Sequence, residues 1–309
     1  MTRPRIGLAL GSGSARGWSH IGVIEGLLDA GIRPDVVCGT SIGALVGGAH
    51  VCGRLGELRA WAEAATWREI APLLDVRLTG GGLIDGSRIQ DFLKGLGVSS
   101  PIETLGVPFA AVATDLASGR EIWIREGAID DAIRASIAMP GIFSPARRDG
   151  RWLVDGGLVN PVPVSVCRAF GAEFIIAVNL NGDLVGRRFT RETELPPGRP
   201  ERAAEGSAVA RLLDGMPEGL RQFVGEMGPK LLRQGPETPG YFDVLANSIN
   251  IMQDQITRTR LAGEPPHVVV LPRLRDVGLL EFQRGAEVIA EGRASIEAAL
   301  PNIIRQIER

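Results

Sequence analysis

Histidine and cysteine are scarce in this chain, with three of each among 309 residues. Cys38, Cys52 and Cys167 are odd in number and scattered, with no CxxC pair, which argues against a disulfide framework or a zinc site and fits a reducing compartment. Long hydrophobic runs are also missing: no window approaches the roughly 18 to 20 apolar residues that span a bilayer. The start, MTRPRIGLALGSGSARG, has an apolar run that glycine and serine interrupt after five residues, too short for a signal peptide. A cytoplasmic protein is expected, with reversible attachment to a membrane surface left open. Nor is there an excess of one charge. With 34 basic and 36 acidic residues and a net charge of -2, nothing calls for a nucleic-acid partner.

What is present is alternation. "RIGLAL" (5–10) is a short apolar run closed by a glycine-rich turn, the pattern of a buried strand, and "WSHIGVIEGLLDAG" (18–31) has apolar residues at helical spacing and ends in Gly31. "PDVVCGTS" (34–41) predicts a second strand, and 42–65 predicts one long helix. Strand, turn, helix, repeated, is the signature of a parallel sheet with helical crossovers. Further strands are expected at 108–116, 121–127, around "RWLVDGG", at 173–180 and at 267–272. Helices are expected at 129–139 and 281–300. One continuous α/β domain over 1–309 accounts for all of these.

Residues 181–240 break the pattern. They hold 10 of the 41 glycines and 7 of the 20 prolines, too many breakers for regular elements, and predict a variable loop or mobile insertion, with a lid as the alternative.

Three stretches could carry chemistry. "GTSIG" (39–43) fits G-x-S-x-G, a pattern that chance supplies about 0.2 to 0.3 times in a chain of this composition. Its setting adds weight: Ser41 follows an apolar strand and opens a helix, as a nucleophile elbow requires. A simple N-cap would not need Gly39 and Gly43 on either side. "GSGSARG" (11–17) fails as a dinucleotide fingerprint because Arg16 stands at the third glycine, and it lacks a P-loop's Gly-Lys-Ser/Thr ending. It does offer backbone N–H groups to an oxyanion.

An activated serine needs a base. His20 and His50 lie within expected helices, and only His267 has the chain order of a Ser–Asp–His hydrolase, at the start of a strand where an edge role is simpler. The other candidate is Asp155 in "LVDGGLVN" (153–160), which has a strand before it and Gly156 and Gly157 after it. A carboxylate there could take the hydroxyl proton of Ser41 directly if the fold brought the two within about 2.6 to 3.2 Å. The simpler reading is a turn aspartate bonded to its own backbone.

In one order along the chain, "GSGSARG", "GTSIG" and "DGG" closely resemble the patatin-like phospholipase family, its bacterial RssA-type subfamily in particular. "AVATDLASGREIW" (111–123), "IRASIAMPGIFSP" (133–145), "LVDGGLVNPVPV" (153–164) and "NSINIMQDQITRTRLAGEPPHVVVLP" (247–272) extend the likeness over nearly all the chain except 181–240. The resemblance implies a three-layer α/β/α hydrolase with a largely parallel central sheet. It further implies a Ser41–Asp155 dyad without histidine, supported by the glycines Gly39, Gly43, Gly156 and Gly157. The oxyanion loop would comprise Gly11, Gly13, Ser14, Ala15 and Arg16, with the amides of Gly13 and Ser14 as donors. Ser12 and Ser14 stand where the family often has glycine, and a positive φ at either would strain serine. Arg16 would position the loop or meet a phosphate. The implied substrate is a lipid or other acyl ester, the implied reaction is hydrolysis through an acyl-enzyme, and no metal or cofactor is called for. A regulatory or scaffold protein binding a partner or membrane through 181–240 is the alternative, and a nucleotide-binding protein using 11–17 is weakened by Arg16. Nothing in the spacing sets an oligomeric state.

Overall fold

A computed structural model describes residues 3–73, 85–182 and 241–308. The insertion expected at 181–240 therefore lies outside the described residues except for Asn181 and Gly182.

The first strand, β1 (Ile6–Leu10), is buried along its whole length and pairs in parallel with β2 (Val36–Thr40) on one side and with β7 (Phe174–Val178) on the other. β2 pairs in parallel with β3 (Phe109–Asp115), and β7 with β8 (Val268–Val270). Three antiparallel pairings complete the sheet: β3 with β4 (Glu121–Ile124), β3 with β6 (Arg151–Asp155), and β6 with β5 (Ala146–Arg148). The order along the sheet is β5-β6-β3-β2-β1-β7-β8, with β4 beside β3. The sheet is thus mixed, with a parallel centre.

Because successive side chains point to opposite faces, each central strand feeds two cores. Leu8, Leu10 and Val37 join a cluster with helices α1 (Ser19–Asp29), α2 (Ile42–Val51), α3 (Leu55–Ala64) and the C-terminal helix α9 (Gly285–Ile307). Ala9, Val36 and Cys38 face the other way, against α7 (Val164–Ala169) and Leu261 of α8 (Tyr241–Gly263). Helices therefore cover both faces, as the sequence predicts. Short helices α4 (Trp67–Ile70), α5 (Ser87–Gly95) and α6 (Ile129–Ser136) complete the described set.

Two expectations need correction. The single helix over 42–65 is two, broken at Gly53, which takes φ 68 and turns the chain after α2. The last helix does not stop at residue 300 but runs through Pro301 to Ile307. The proline there removes one hydrogen bond, while Ile296 and Ile303 on either side stay buried against the core.

After β1 the chain builds outward on one side through β2 and β3, then returns to the other side as β7 and β8. The crevice outside the carboxyl ends of the central strands is the usual ligand position in such a sheet. Residues 11–17, Ser41 and 179–182 all leave strands at that end.

Candidate active site

Ser41 sits at the step from β2 into α2 with φ 58 and ψ -124, a conformation an L-residue adopts only under constraint. The constraint is visible. Its amide donates to the Ser136 hydroxyl at 2.8 Å, and that hydroxyl donates in turn to the Val112 carbonyl at 2.6 Å. Its carbonyl already accepts the first helical bonds from Ala44 and Leu45. The flanking glycines are needed for contact: a Cβ on Gly39 would strike the backbone of Gly43 and Ala44, and one on Gly43 the carbonyl of Leu10. Such strain costs about 1 to 3 kcal/mol. Glycine relieves it and alanine does not, so Ser41→Gly should melt above Ser41→Ala, both lacking the hydroxyl. Thermal denaturation of the two decides this; equal midpoints would mean the turn stores no strain.

Asp155, at the end of β6, is buried and held from three sides. Its amide donates to Ala138 O at 2.9 Å, its carbonyl accepts from Thr114 Oγ1 at 2.8 Å, and Oδ1 accepts from the Gly157 amide at 2.7 Å. The other oxygen, Oδ2, accepts the Ser41 hydroxyl at 2.5 Å. The turn-aspartate bond and the serine contact thus coexist, one on each oxygen. Burial raises the Asp155 pKa to about 6, against the opposing pull of the bonds from Ser41 and Gly157. Gly156 packs where a Cβ would meet the Val112 carbonyl.

The 11–17 loop adjoins the elbow, with Gly17 packed on Ile42. Four of its amides are committed: Gly11 to Val178 O at 3.0 Å, Ser12 to Pro161 O at 2.9 Å, Ala15 to Leu279 O at 3.1 Å, and Arg16 to Gly13 O at 3.3 Å. The amides of Gly13 and Ser14 meet no acceptor among the described residues. Ser14 does take the positive φ that its residue type resists, 52°, and its hydroxyl is tied to Leu279 O at 2.6 Å. Arg16 is turned inward and buried, donating to Gly13 O from Nε and to Asn250 Oδ1, both at 3.1 Å.

Among the described residues no histidine is hydrogen-bonded to Ser41 or Asp155. His20 is buried with Nε2 2.8 Å from the Gly11 carbonyl, which can only accept, so Nε2 carries the proton; burial lowers the ring's pKa to about 4. His267 stands at the amino-terminal end of the sheet, opposite Ser41. Its Nδ1 accepts from the Ile175 amide at 3.0 Å, and its ring packs on Phe174. His50, near the end of α2, has its pKa lowered by burial.

Sequence reasoning missed Ser136 and a polar stripe on α8. Asn250, Gln253, Asp254 and Thr257 recur at helical spacing and all are buried. Gln253 Oε1 accepts from Ser12 Oγ at 2.9 Å and Asn181 Nδ2 at 3.0 Å, while its Nε2 occupies the space a side chain on Gly157 would need. One side chain therefore ties the 11–17 loop, the turn after β7 and the Asp155 turn together. Among the described residues no three His, Cys, Asp or Glu side chains are grouped as a metal requires, and no helix is long and apolar enough to cross a membrane.

The family model described as "Patatin-like phospholipase" matches residues 8–168. An uncharacterized NTE family protein from Mycobacterium tuberculosis is 36% identical over 96% of this chain and 91% of its own length. The mouse patatin-like phospholipase domain-containing protein 6 is 33% identical over 58% of this chain, which spans only 14% of that protein. The crystal structure of VipD from Legionella pneumophila aligns with a TM-score of 0.46 and 12% identity, over 97% of this chain and 67% of that one. With the family match running from β1 into α7, through both Ser41 and Asp155, the chain belongs to the patatin-like phospholipase family.

Proposed function

We propose that this chain is a serine lipid acyl hydrolase working through a Ser41–Asp155 dyad. The observation that carries the reading is the buried 2.5 Å contact between Ser41 Oγ and Asp155 Oδ2, with no histidine hydrogen-bonded to either among the described residues. Asp155 takes the hydroxyl proton as Oγ attacks the ester carbonyl carbon. The tetrahedral oxyanion accepts from the amides of Gly13 and Ser14, each worth about 3 to 4 kcal/mol where such donors have been removed from other enzymes. The intermediate collapses to an acyl-enzyme, and the departing alcohol takes the proton from Asp155. Water then attacks the acyl carbonyl, giving its proton to Asp155, and the serine leaves with it. A carboxylate with a pKa of about 6 is a stronger base than an ordinary one and still ionised at pH 7. The α2 N-terminus at Ser41 adds partial positive charge beside the developing anion. Arg16 shapes the loop through Gly13 and Asn250. The RssA-type placement within the family rests on the order of the three motifs.

A fluorophosphonate probe tests the dyad. Wild type and His267→Ala should label alike, and Ser41→Ala not at all. Loss of labelling in His267→Ala with its melting point intact would return the base to histidine and sink the dyad.

A further inference from the structure

Two hairpins project past the carboxyl end of β3. One is the β3–β4 turn, where Asp115 Oδ1 accepts the amides of Ala117 and Ser118. The other is the β5–β6 turn, in which Asp149 and Gly150 both take positive φ, 47° and 76°, as a two-residue hairpin loop demands. The tips are joined: the Leu116 amide donates to the Trp152 carbonyl at 2.9 Å. Both side chains face solvent, Leu116 at 54% and Trp152 at 52% exposure, an unusual cost for two large apolar groups placed side by side.

The surroundings are basic. The two tips carry Arg120, Arg147, Arg148 and Arg151 against Asp115 and Asp149, in a chain whose net charge is -2. Arg147 pairs across the hairpin with Trp152, its guanidinium 5.7 Å from the ring centroid, while Arg151, 59% exposed, lies 3.8 Å from Asp115 Oδ2 and Arg148 lies 3.6 Å from Asp149 Oδ2. An amphipathic indole beside an apolar residue, with one guanidinium over its ring and further arginines on the same two tips, is a composition that sits at a membrane interface, the ring among the headgroups and the cations on phosphates.

Position links this patch to the site. Asp155 lies opposite Ala113 on β3, and Trp152 precedes it by three residues, so the tip stands about 10 Å further along the strand, at the sheet end that also carries Ser41. We propose that the joined tips, centred on Leu116 and Trp152, dock the protein on an anionic lipid bilayer. The choice of a bilayer over a protein partner rests on the lipid-hydrolase reading together with the local positive charge.

The test is flotation of the Ser41→Ala chain, which leaves lipids intact, with vesicles of phosphatidylcholine alone or with phosphatidylglycerol added. Binding should favour the anionic vesicles, weaken with salt, and fall about tenfold or more in Leu116→Ser/Trp152→Thr, since two interfacial apolar groups are lost. Arg147→Gln/Arg151→Gln should abolish the preference for phosphatidylglycerol. The same apolar pair of substitutions, made in the wild type, should leave hydrolysis of a water-soluble short-chain ester unchanged, showing the fold intact. Equal vesicle binding by Leu116→Ser/Trp152→Thr and its parent, or no binding by the parent, overturns the docking surface. Absence of ester hydrolysis in a wild type that still binds vesicles would instead overturn the hydrolase reading and leave the surface standing.

Discussion

Asp155→Asn is expected to lower kcat/KM roughly ten-thousandfold, the scale seen when an aspartate is removed from a serine hydrolase triad, and to raise the melting temperature at pH 8. Both effects come from one cause. Burial holds the Asp155 pKa at about 6 in the folded chain, against 3.8 for an ordinary aspartate. Between those values the folded state binds more protons than the unfolded, so stability falls as pH rises. The contribution is fully present below pH 4 and lost by the time pH passes 6, a cost on the order of 3 kcal/mol at pH 8. Asparagine carries no charge and escapes it. It can still accept from the Gly157 amide through its oxygen and donate to Ser41 Oγ through its nitrogen, so both contacts of the side chain are kept. Thermal melts at pH 4 and pH 8 should therefore coincide at the first and separate by several degrees at the second. In the wild type, kcat/KM should climb through pH about 6 as the base ionises. An acid limb at the ordinary carboxylate range, or a melting difference that persists at pH 4, would show that Asp155 is not held out of ionisation by burial.

Much of this arrangement was legible in the chain because the signals are local. β1, β2 and β7 are apolar runs buried end to end, and such runs announce themselves whatever they pair with. The approach of Asp155 to Ser41 could be anticipated for a related reason: tight contacts demand glycine, and the glycines after Asp155 and around Ser41 mark them. The β5 segment could not be read the same way. "ARR" has no apolar alternation, and its pairing is imposed by β6 across the Asp149–Gly150 turn. The sense of β4 is likewise invisible, because "EIWI" pairs equally well in either direction until the chain's return path is known. The stripe on α8 misleads outright. Asn250, Gln253, Asp254 and Thr257 at helical spacing describe a solvated face in any local reading. Two of them are met by distant segments: Gln253 by Ser12 from 241 residues away and Asn181 from 72, and Asn250 by Arg16 from 234. Polar groups that find their partners through the tertiary fold leave no periodic trace distinguishing them from surface. Ser136 is hidden likewise, since its bond to the Ser41 amide spans 95 residues.

Gly43→Ala should be as damaging to the site as losing the serine, although it removes no functional group. A Cβ there would collide with the Leu10 carbonyl oxygen, and lie 2.6 Å from its carbon and 2.8 Å from the Gly11 oxygen. All three are backbone atoms, so no rotamer change makes room. β1 cannot retreat either, because it is hydrogen-bonded to β2 on one flank and β7 on the other. The elbow must move instead, and the 2.5 Å contact between Ser41 and Asp155 tolerates little movement. Overpacking of this kind costs about 1 to 3 kcal/mol where side chains can yield, and more where only backbone is in the way. Gly56→Ala is the matched control. It lies in α3 with nothing within 4 Å of the added carbon, and should stabilise by about 0.5 to 1 kcal/mol through helix propensity. Fluorophosphonate labelling and thermal melts of the two variants together separate the effects: Gly43→Ala should lose both label and stability, and Gly56→Ala neither. Full labelling of a stably folded Gly43→Ala would mean that the strand end can give way, and that the reactive geometry of Ser41 does not depend on the close approach of the elbow to β1.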